Sequence, residues 1–226
     1  LYNGKVIARS EEIKTISKRL PSLLHILVVE YISSTKDIEE FPNFNIVFQS
    51  DPLANYVLCE FNDPLYIVFS SGTTGKPKCI THSIGGVLIQ HAKEHLLHIN
   101  LSEKQKMFYF TTCGWMMWNW LVGSLFCKSS IVLYEGSPFY PNPEHLWKIA
   151  EKSEVSIFGT SAKYIDALSK SNVVPKNHLT SSNLRTICST GSPLSPDSYD
   201  YILNNIKSDV QIASISGGTD LLSCFV

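Results

Sequence analysis

A glycine- and hydroxyl-rich loop follows an apolar run near residue 70 and carries the residues best suited to chemistry. Residues 66–78 read YIVFSSGTTGKPK. Gly72 and Gly75 permit backbone conformations that expose successive N–H groups, which together form an anion-binding concavity. Further donors and positive charge come from the side chains of Ser70, Ser71, Thr73, Thr74, Lys76 and Lys78. The segment therefore predicts a loop that binds phosphate groups.

This loop is not a Walker A motif, which requires GxxxxGK[ST]. Ser70 stands where that motif needs its first glycine, and Pro77 follows Lys76 in place of a hydroxyl residue. The spacing therefore disfavours a P-loop kinase or GTPase. A solvated glycine-rich turn would explain a short GxxG, but the whole ordered run of residues 66–78 favours phosphate binding.

Three downstream segments extend the pattern: residues 111–115 read TTCGW, residues 189–193 read STGSP and residues 214–220 read SISGGTD. With the loop, and in this order, they resemble the adenylate-forming superfamily of acyl-CoA synthetases, luciferases and peptide-synthetase adenylation domains. In that family the first segment enters the acyl pocket, the second turns beside adenine and the third ends in Thr-Glu in most members. The resemblance covers most of the chain from Tyr66 onward and favours an acyl-CoA synthetase.

The resemblance implies a two-step ligase reaction that uses ATP, Mg²⁺ and coenzyme A. A carboxylate attacks the α-phosphate of ATP and displaces pyrophosphate, and the thiol of coenzyme A then displaces AMP from the acyl adenylate. Preorganised donors and cations lower the barrier of the first step because charge accumulates on the α-phosphoryl oxygens. The expected acid is acetoacetate, with acetate or propionate as the alternatives.

Family membership also implies roles for single residues. Lys78 and Thr219 are the implied catalytic residues, and Thr219 would donate to an α-phosphate oxygen. Asp220 would hold Mg²⁺, although its side chain is shorter than the commoner glutamate, so the metal must sit closer or be reached through a water. Taken alone, residues 217–220 would read as a turn with a helix-capping aspartate. Residues implied to contact the nucleotide are Ser71, Gly72, Thr73, Thr74, Gly75, Lys76, Gly191, Ser192 and Pro193.

The acyl pocket is expected beside Trp115 and Gly217. Gly217 aligns with a position where acetate-specific relatives carry a tryptophan that closes the pocket, so a glycine there leaves room for a longer acid. Residues 115–120 read WMMWNW. Aromatic residues more often build a core than a binding surface, and only Trp115 of this block is placed at the pocket.

Short β-rich apolar runs alternate with helical patterns along the chain, which predicts an α/β fold with a mostly parallel sheet and flanking helices. The resemblance assigns it to part of the large N-terminal domain of the adenylate-forming fold, with residues 1–65 as a lead-in and residues 66–226 holding the ATP and acyl motifs. Strands are predicted over residues 26–29, 66–69, 107–111, 131–134, 155–158, 185–189 and 210–214. Helices are predicted over residues 11–19, 84–98, 115–126, 143–152, 162–170 and 196–207.

Three histidines at positions 91, 95 and 98 share one face of the helix predicted over residues 84–98. A metal site is disfavoured because no HExxH pattern is present. The apolar stripe of Leu88, Ala92, Leu96 and Ile99 predicts that this helix packs through those side chains. The histidines are then expected to be solvated or hydrogen-bonded locally.

Composition points to small-molecule partners in the cytosol. The 226 residues include 19 basic and 20 acidic side chains, which leaves no electrostatic footprint for nucleic acid or an acidic membrane. No apolar run reaches the roughly 20 residues of a membrane-spanning helix. Six scattered cysteines without a CxxC pair suit reduced thiols in a packed core. GxSxG and GxGxxG are both missing, which disfavours a serine hydrolase and a nicotinamide enzyme.

The ends predict an internal piece of a longer chain, because the sequence begins without methionine and stops in apolar residues. The family's ribose-binding acid, hinge and small C-terminal domain with the adenylation lysine have no counterpart here. The expected enzyme activity therefore belongs to the longer chain. A non-catalytic nucleotide-binding fragment remains the alternative.

Overall fold

The computed structural model describes residues 2–29, 31, 40–53, 55–70, 75–180 and 183–226. The chain divides into two compact units, Leu1–Leu58 and Cys59–Val226. Residues 71–74 of the predicted phosphate loop lie outside the described residues. None of the described helices is long and apolar enough to cross a membrane.

The first unit contains helix α1 (Ser10–Arg19) and a 3₁₀ helix at Phe44–Gln49. Glutamates in the first turn of α1 and basic residues in its last turn complement the helix dipole. The strand predicted over residues 26–29 is wrong. Among the described residues of this unit, Val28 forms an isolated parallel bridge with Asn43, and a strand needs a continuous ladder of such pairs.

The second unit begins with an antiparallel hairpin of β1 (Pro64–Ser70) and β2 (Lys78–Ser83). Ser70 pairs with Lys78, so the glycine-rich segment connects the two strands. The predicted strand is confirmed in place, but it lies in this separate hairpin and not in the parallel sheet. The sequence missed β2, whose short run of mixed polar and apolar residues has little apolar periodicity.

Five parallel strands form the main sheet in the order β4-β3-β5-β6-β7. The strands are β3 (Lys106–Tyr109), β4 (Ser130–Val132), β5 (Ile157–Ser161), β6 (Thr186–Thr190) and β7 (Gln211–Ser214). The chain order reverses between β3 and β5, and such a switch point opens a crevice at the carboxyl ends of the strands. The predicted α/β class with a mostly parallel sheet is confirmed.

Helices connect and flank these strands. They are α2 (Ile84–Lys93), α3 (Met116–Gly123), α4 (His145–Lys152), α5 (Ala162–Lys170) and α6 (Pro196–Tyr201). The hydroxyls of Ser83, Ser161 and Ser195 each accept the N–H of the residue three positions later, which sets where α2, α5 and α6 begin. Further π-helical turns at Glu94–His98 and Ile202–Ile206 extend α2 and α6 to nearly the predicted ends.

Two apolar layers cover the faces of the sheet. On one face, Phe108, Phe158 and Ile187 pack with α4, α5 and α6. On the other face, Met107, Ile157 and Cys188 pack with α3. Adjacent strand residues therefore serve opposite layers, as the two-residue period of a strand requires. A last short hairpin, β8 (Gly217–Gly218) with β9 (Ser223–Cys224), follows the sheet.

Candidate active site

A cavity of about 740 Å³ opens at the carboxyl ends of the parallel strands. The last residues of β3, β5, β6 and β7, or those directly after them, form its floor, so it lies at the switch point of the sheet. They are Tyr109, Phe110, Thr160, Ser161, Thr190, Gly191, Ser214 and Ile215.

The cavity brings together most of the downstream residues that the sequence singled out. These are Trp115, Gly191, Ser192, Pro193, Gly217 and Thr219. Gly75, Lys76, Lys78 and Asp220 are exposed and are not among the lining residues. Phe69 lines the cavity one residue before the end of β1, so the strand that leads into the predicted phosphate loop reaches the site.

Gly191 adopts a backbone conformation that other residues rarely accept. Its φ is +88°, in the left-handed region, and an added Cβ would meet nothing within 4 Å. The glycine is therefore required by the backbone and not by crowding. This agrees with the tight turn expected between β6 and α6, whereas the contact with adenine stays a prediction.

Gly217 is crowded by the backbone of β9. A Cβ there would overlap the carbonyl oxygen of Ser223 and lie 2.5 Å from the Cα of Cys224. Its neighbour Gly218 also lines the cavity, and a Cβ there would meet nothing within 4 Å. The close passage of β9 is thus sufficient reason for a glycine at position 217, and the open space lies beside Gly218. The expected part of Gly217 in acid choice stays a prediction.

The aromatic block of residues 115–120 divides between surface and core. Trp115 caps the start of α3 and is 64% exposed at the cavity wall, whereas Trp120 is 3% exposed in the layer beneath. Tyr109 contacts Trp120 edge to face, with ring centroids 5.9 Å apart. The expected place of Trp115 at the cavity wall and of Trp120 in the core agrees with these positions, whereas Met116 and Met117, expected only to pack, also line the cavity. The contact of Trp115 with the acyl group stays a prediction.

The sequence did not identify the part of the cavity contributed by β5 and α5. Thr160, Ser161 and Lys163 line it, and Lys163 is the charged side chain among the lining residues that the structure describes. A usable signal was present, because side chains that end parallel strands or begin the following helices meet at one edge of a sheet. Those residues had no motif to mark them.

Polar side chains from the β2–α2 region hold the backbone of the segment that carries Thr219. His82 Nε2 bonds the carbonyl oxygen of Thr219 at 2.8 Å, and His91 Nε2 bonds that of Leu222 at 2.8 Å. His95 Nε2 bonds the carbonyl oxygen of Trp120 at 2.9 Å. Each ring nitrogen must therefore donate, which requires the Nε2–H tautomer.

The expectation of solvated or locally bonded histidines is wrong for His91 and His95, which are 3% and 0% exposed. Burial lowers the pKa of His91 below its ordinary value and lowers that of His95 to about 4, so both rings are neutral at neutral pH. His98 is exposed. No group of three or more metal-ligating side chains occurs among the described residues.

The predicted apolar stripe is confirmed at Ile99, which is 3% exposed, and is wrong at its two leucines. Leu88 and Leu96 are 46% and 43% exposed, while Glu94 on the opposite face is 1% exposed. Helix α2 and its π turn therefore bury a hydrogen-bonding face, because the surfaces against that face present carbonyl groups and an indole N–H. Apolar periodicity cannot detect a face of this kind.

The expectation that the cysteines pack in a core is confirmed for Cys127, Cys188 and Cys224, which are buried, and is wrong for the other three. Cys59, Cys79 and Cys113 are exposed. Burial raises the pKa of Cys188 and of Cys224 to about 12, so these thiols stay protonated and act as packing groups.

A cavity at the switch point of a parallel sheet, beside a strand that runs into a glycine- and hydroxyl-rich loop, defines a nucleotide-binding α/β domain. The family described as AMP-binding enzyme matches residues 6–222, and the chain belongs to this family.

Similar proteins cover the whole chain. The acetoacetyl-CoA synthetases of Gallus gallus and Rhizobium meliloti are each 46% identical to it. The chain spans 35% of the length of each of these relatives. A solved structure of the acetoacetyl-CoA synthetase from Streptomyces lividans is 37% identical, with a TM-score of 0.92 over the whole chain and 35% of that structure.

The fold extends to a more distant protein. The anthranilate CoA ligase AuaEII, solved in complex with anthranoyl-AMP, has a TM-score of 0.81 at 20% identity. It covers 96% of this chain, which spans 41% of that structure. This likeness shows the fold alone.

Proposed function

We propose that the protein carrying this chain converts acetoacetate to acetoacetyl-CoA through an acyl adenylate, with ATP and coenzyme A as co-substrates. The observation that carries the proposal is the cavity, which gathers Trp115, the turn of Gly191–Pro193 and Thr219 at the carboxyl edge of one sheet. Similarity across the whole chain to acetoacetyl-CoA synthetases supports the choice of acid.

The chemistry requires an activated carboxyl group, because a carboxylate is inert to thiols until one oxygen becomes a good leaving group. The loop residues Ser71–Lys76 bind the β- and γ-phosphates in this proposal. Lys78 and the Thr219 hydroxyl meet the charge that develops on the α-phosphoryl oxygens. The bond between His82 and the Thr219 carbonyl supports a fixed position for Thr219 at the cavity.

Magnesium fits beside this site. Asp220 is exposed next to Thr219, and its carboxylate forms no ion pair with a described residue. Mg²⁺ binds through one or two carboxylates together with phosphate oxygens and waters, so a single aspartate near bound ATP is a sufficient protein ligand. We assign Asp220 to that role, in which the ion would neutralise phosphate charge.

Open space beside Gly218 favours an acid longer than acetate. The aromatic walls of the cavity at Trp115 and Tyr109 suit a short carbon chain, and Gly218 leaves space beside them. Acetate or propionate is the alternative within the class. A nucleotide-binding protein without turnover is the alternative outside it. We place the protein in the cytosol, acting on small molecules and not on nucleic acid.

Acid-dependent exchange of pyrophosphate into ATP, measured on the intact protein, tests the proposal. We expect exchange with acetoacetate at a kcat/KM above those for acetate and propionate, and AMP with pyrophosphate as the products. Thr219→Val should lower the exchange rate by ~10²- to 10³-fold, since it removes one donor to developing charge. The matched control is Thr219→Ser, which keeps the hydroxyl and should retain most of the rate.

Each contrary result identifies a different error. ADP and orthophosphate as primary products would exclude the adenylate route. ATP binding without exchange for any of the three acids would support the non-catalytic alternative. Equal rates for Thr219→Val and the wild type would remove Thr219 from the mechanism.

A further inference from the structure

We propose that Glu94 is a positioning residue that holds two walls of the cavity in register through its two carboxylate oxygens. The kinetic test of this proposal rests on the proposed function, whereas the hydrogen-exchange test does not. Glu94 lies in the π turn that extends α2 and is 1% exposed, outside the cavity itself.

One oxygen, Oε1, binds the end of the chain segment that carries Thr219. The Ser223 hydroxyl donates to it, and the backbone N–H of Cys224 donates at 3.2 Å. Gln90 Nε2 donates to the same oxygen at 2.8 Å and to Ser223 Oγ at 2.6 Å. Ser223 and Cys224 form β9, which pairs with Gly217 and Gly218 at the cavity wall.

The other oxygen, Oε2, binds the opposite wall. Trp120 Nε1 donates to it at 2.7 Å. Trp120 lies in α3, whose first residues, Met116 and Met117, line the cavity next to Trp115. A single side chain thus fixes β9 through one oxygen and α3 through the other.

Because Glu94 is negatively charged, both of its side-chain oxygens accept hydrogen bonds. Burial acts to raise the pKa of the carboxyl group, but the bonds from Ser223, Cys224 and Trp120 outweigh burial and lower it, so the group is a carboxylate at neutral pH. A carboxylate accepts on both oxygens, whereas an amide accepts on one and donates from the other. In Glu94→Gln, the amide N–H group would therefore face another hydrogen-bond donor on one of the two walls.

The histidine contacts reinforce the same geometry. His91 Nε2 donates to the carbonyl oxygen of Leu222, and His95 Nε2 donates to that of Trp120. Helix α2 and its π turn therefore contact each wall at a second point. Glu94 is the member of this set that contacts both walls directly.

Hydrogen exchange on the intact protein, followed by mass spectrometry, tests the structural part with Glu94→Gln. We expect faster amide exchange in residues 116–123 and 216–224, with β5 and β6 unchanged. The matched control is Glu103→Gln, the same change at an exposed acid, which should leave both segments as in the wild type. Uniformly faster exchange that includes β5 and β6, or no change in either wall, would overturn the proposal.

Steady-state kinetics separate positioning from simple structural support. Trp120→Phe frees only Oε2 and should mainly raise KM for the acid, whereas Ser223→Ala frees part of Oε1 and should mainly lower kcat through Thr219. Glu94→Gln should change both, with kcat/KM falling by about 10- to 100-fold, the range produced by small misplacements of reacting groups. Combined with Ser223→Ala it should cost less than the product of the two single losses.

Two outcomes contradict this kinetic pattern. If all three variants share the wild-type kcat and KM per folded molecule, Glu94 only supports folding. If Trp120→Phe and Ser223→Ala change the same parameter, the two oxygens do not serve separate walls. A wild-type protein that shows no exchange activity contradicts the proposed function alone, because the hydrogen-exchange comparison needs no substrate.

Discussion

Two adjacent glycines at the cavity wall have opposite reasons for being glycine. Gly217 faces the backbone of β9, where a Cβ would overlap the Ser223 carbonyl oxygen, and Gly218 faces open space at the cavity. Family resemblance marks Gly217 as the position that decides acid length. The close passage of β9 gives Gly217 a second reason to be glycine, so we expect added volume at Gly218, and not at Gly217, to enter the cavity.

Replacing these two residues separates folding from acid choice. Gly218→Trp should lower kcat/KM for acetoacetate ~10- to 200-fold more than for acetate, since pocket volume discriminates on that scale. Gly217→Ala should cost about 1 to 3 kcal/mol of stability by overpacking and reduce both acids alike. Urea unfolding and kcat/KM for both acids provide the measurement. A selective loss of acetoacetate in Gly217→Ala, with none in Gly218→Trp, would reverse the assignment.

Helix α2 shows, at the scale of an element, how a polar face can be buried. His91, Glu94 and His95 are nearly inaccessible, while Leu88 and Leu97 are 46% and 76% exposed. Neutral histidines suit this face because each donates one bond to a backbone carbonyl. A charged imidazolium would bring a buried charge to the same place.

Burial of His95 should make stability depend on pH. Its pKa falls from an ordinary 6.5 to about 4 in the folded chain. As pH drops below 6.5, the unfolded chain binds a proton at this ring and the folded chain does not, so the free energy of unfolding declines. The decline ends near pH 4, where the folded chain binds the proton as well. The loss between pH 6.5 and 5 is about 2 kcal/mol, and His91 adds a change of the same sign. The pKa of Glu94 is lowered in the folded chain, so the stability that this carboxylate contributes is lost only as pH falls below its ordinary pKa of 4.5.

Urea unfolding at pH 7 and pH 5 checks this dependence. His95→Gln keeps an amide donor for the Trp120 carbonyl and cannot be protonated, so its stability should fall about 2 kcal/mol less over this range than that of the wild type. His25→Gln, at an exposed histidine of the first unit, should follow the wild type. An identical slope for His95→Gln would mean that the folded chain protonates this ring as readily as the unfolded chain does.

At the scale of the whole molecule, the elements with strong apolar periodicity could be predicted and the short ones could not. Helix α5 matches its predicted bounds because Ser161 caps its start and Tyr164, Ile165 and Leu168 mark one face. Strands β8 and β9 have two residues each and no period to read. Residues 26–29 have the composition of a strand, but within the described part of the chain they form a single bridge, from Val28 to Asn43.

The candidate site divides along the same line. Ordered motifs located Trp115, the Gly191 turn and Thr219, because the family chemistry demands those residue types. Lys163 and Glu94 belong to no motif, since each acts through where the fold places it. Contacts between residues more than a hundred positions apart leave no local trace in a sequence.

During synthesis of the chain, Glu94 is made well before the residues of β9 that bind it. Ser223 and Cys224 follow Glu94 by 129 and 130 positions, and a ribosome adds roughly 5 to 20 residues per second, so Glu94 waits about 6 to 26 seconds for these donors. Until then Oε1 has Gln90 and Lys93 as partners but lacks the two donors of β9, so water must supply the missing bonds. The α2 face should therefore close late, after β9 leaves the exit tunnel. In an arrest-peptide assay we expect a folding force to appear when residue 224 emerges and to be weaker in Glu94→Gln, whereas full force with only β7 exposed would show that the face closes without its partner.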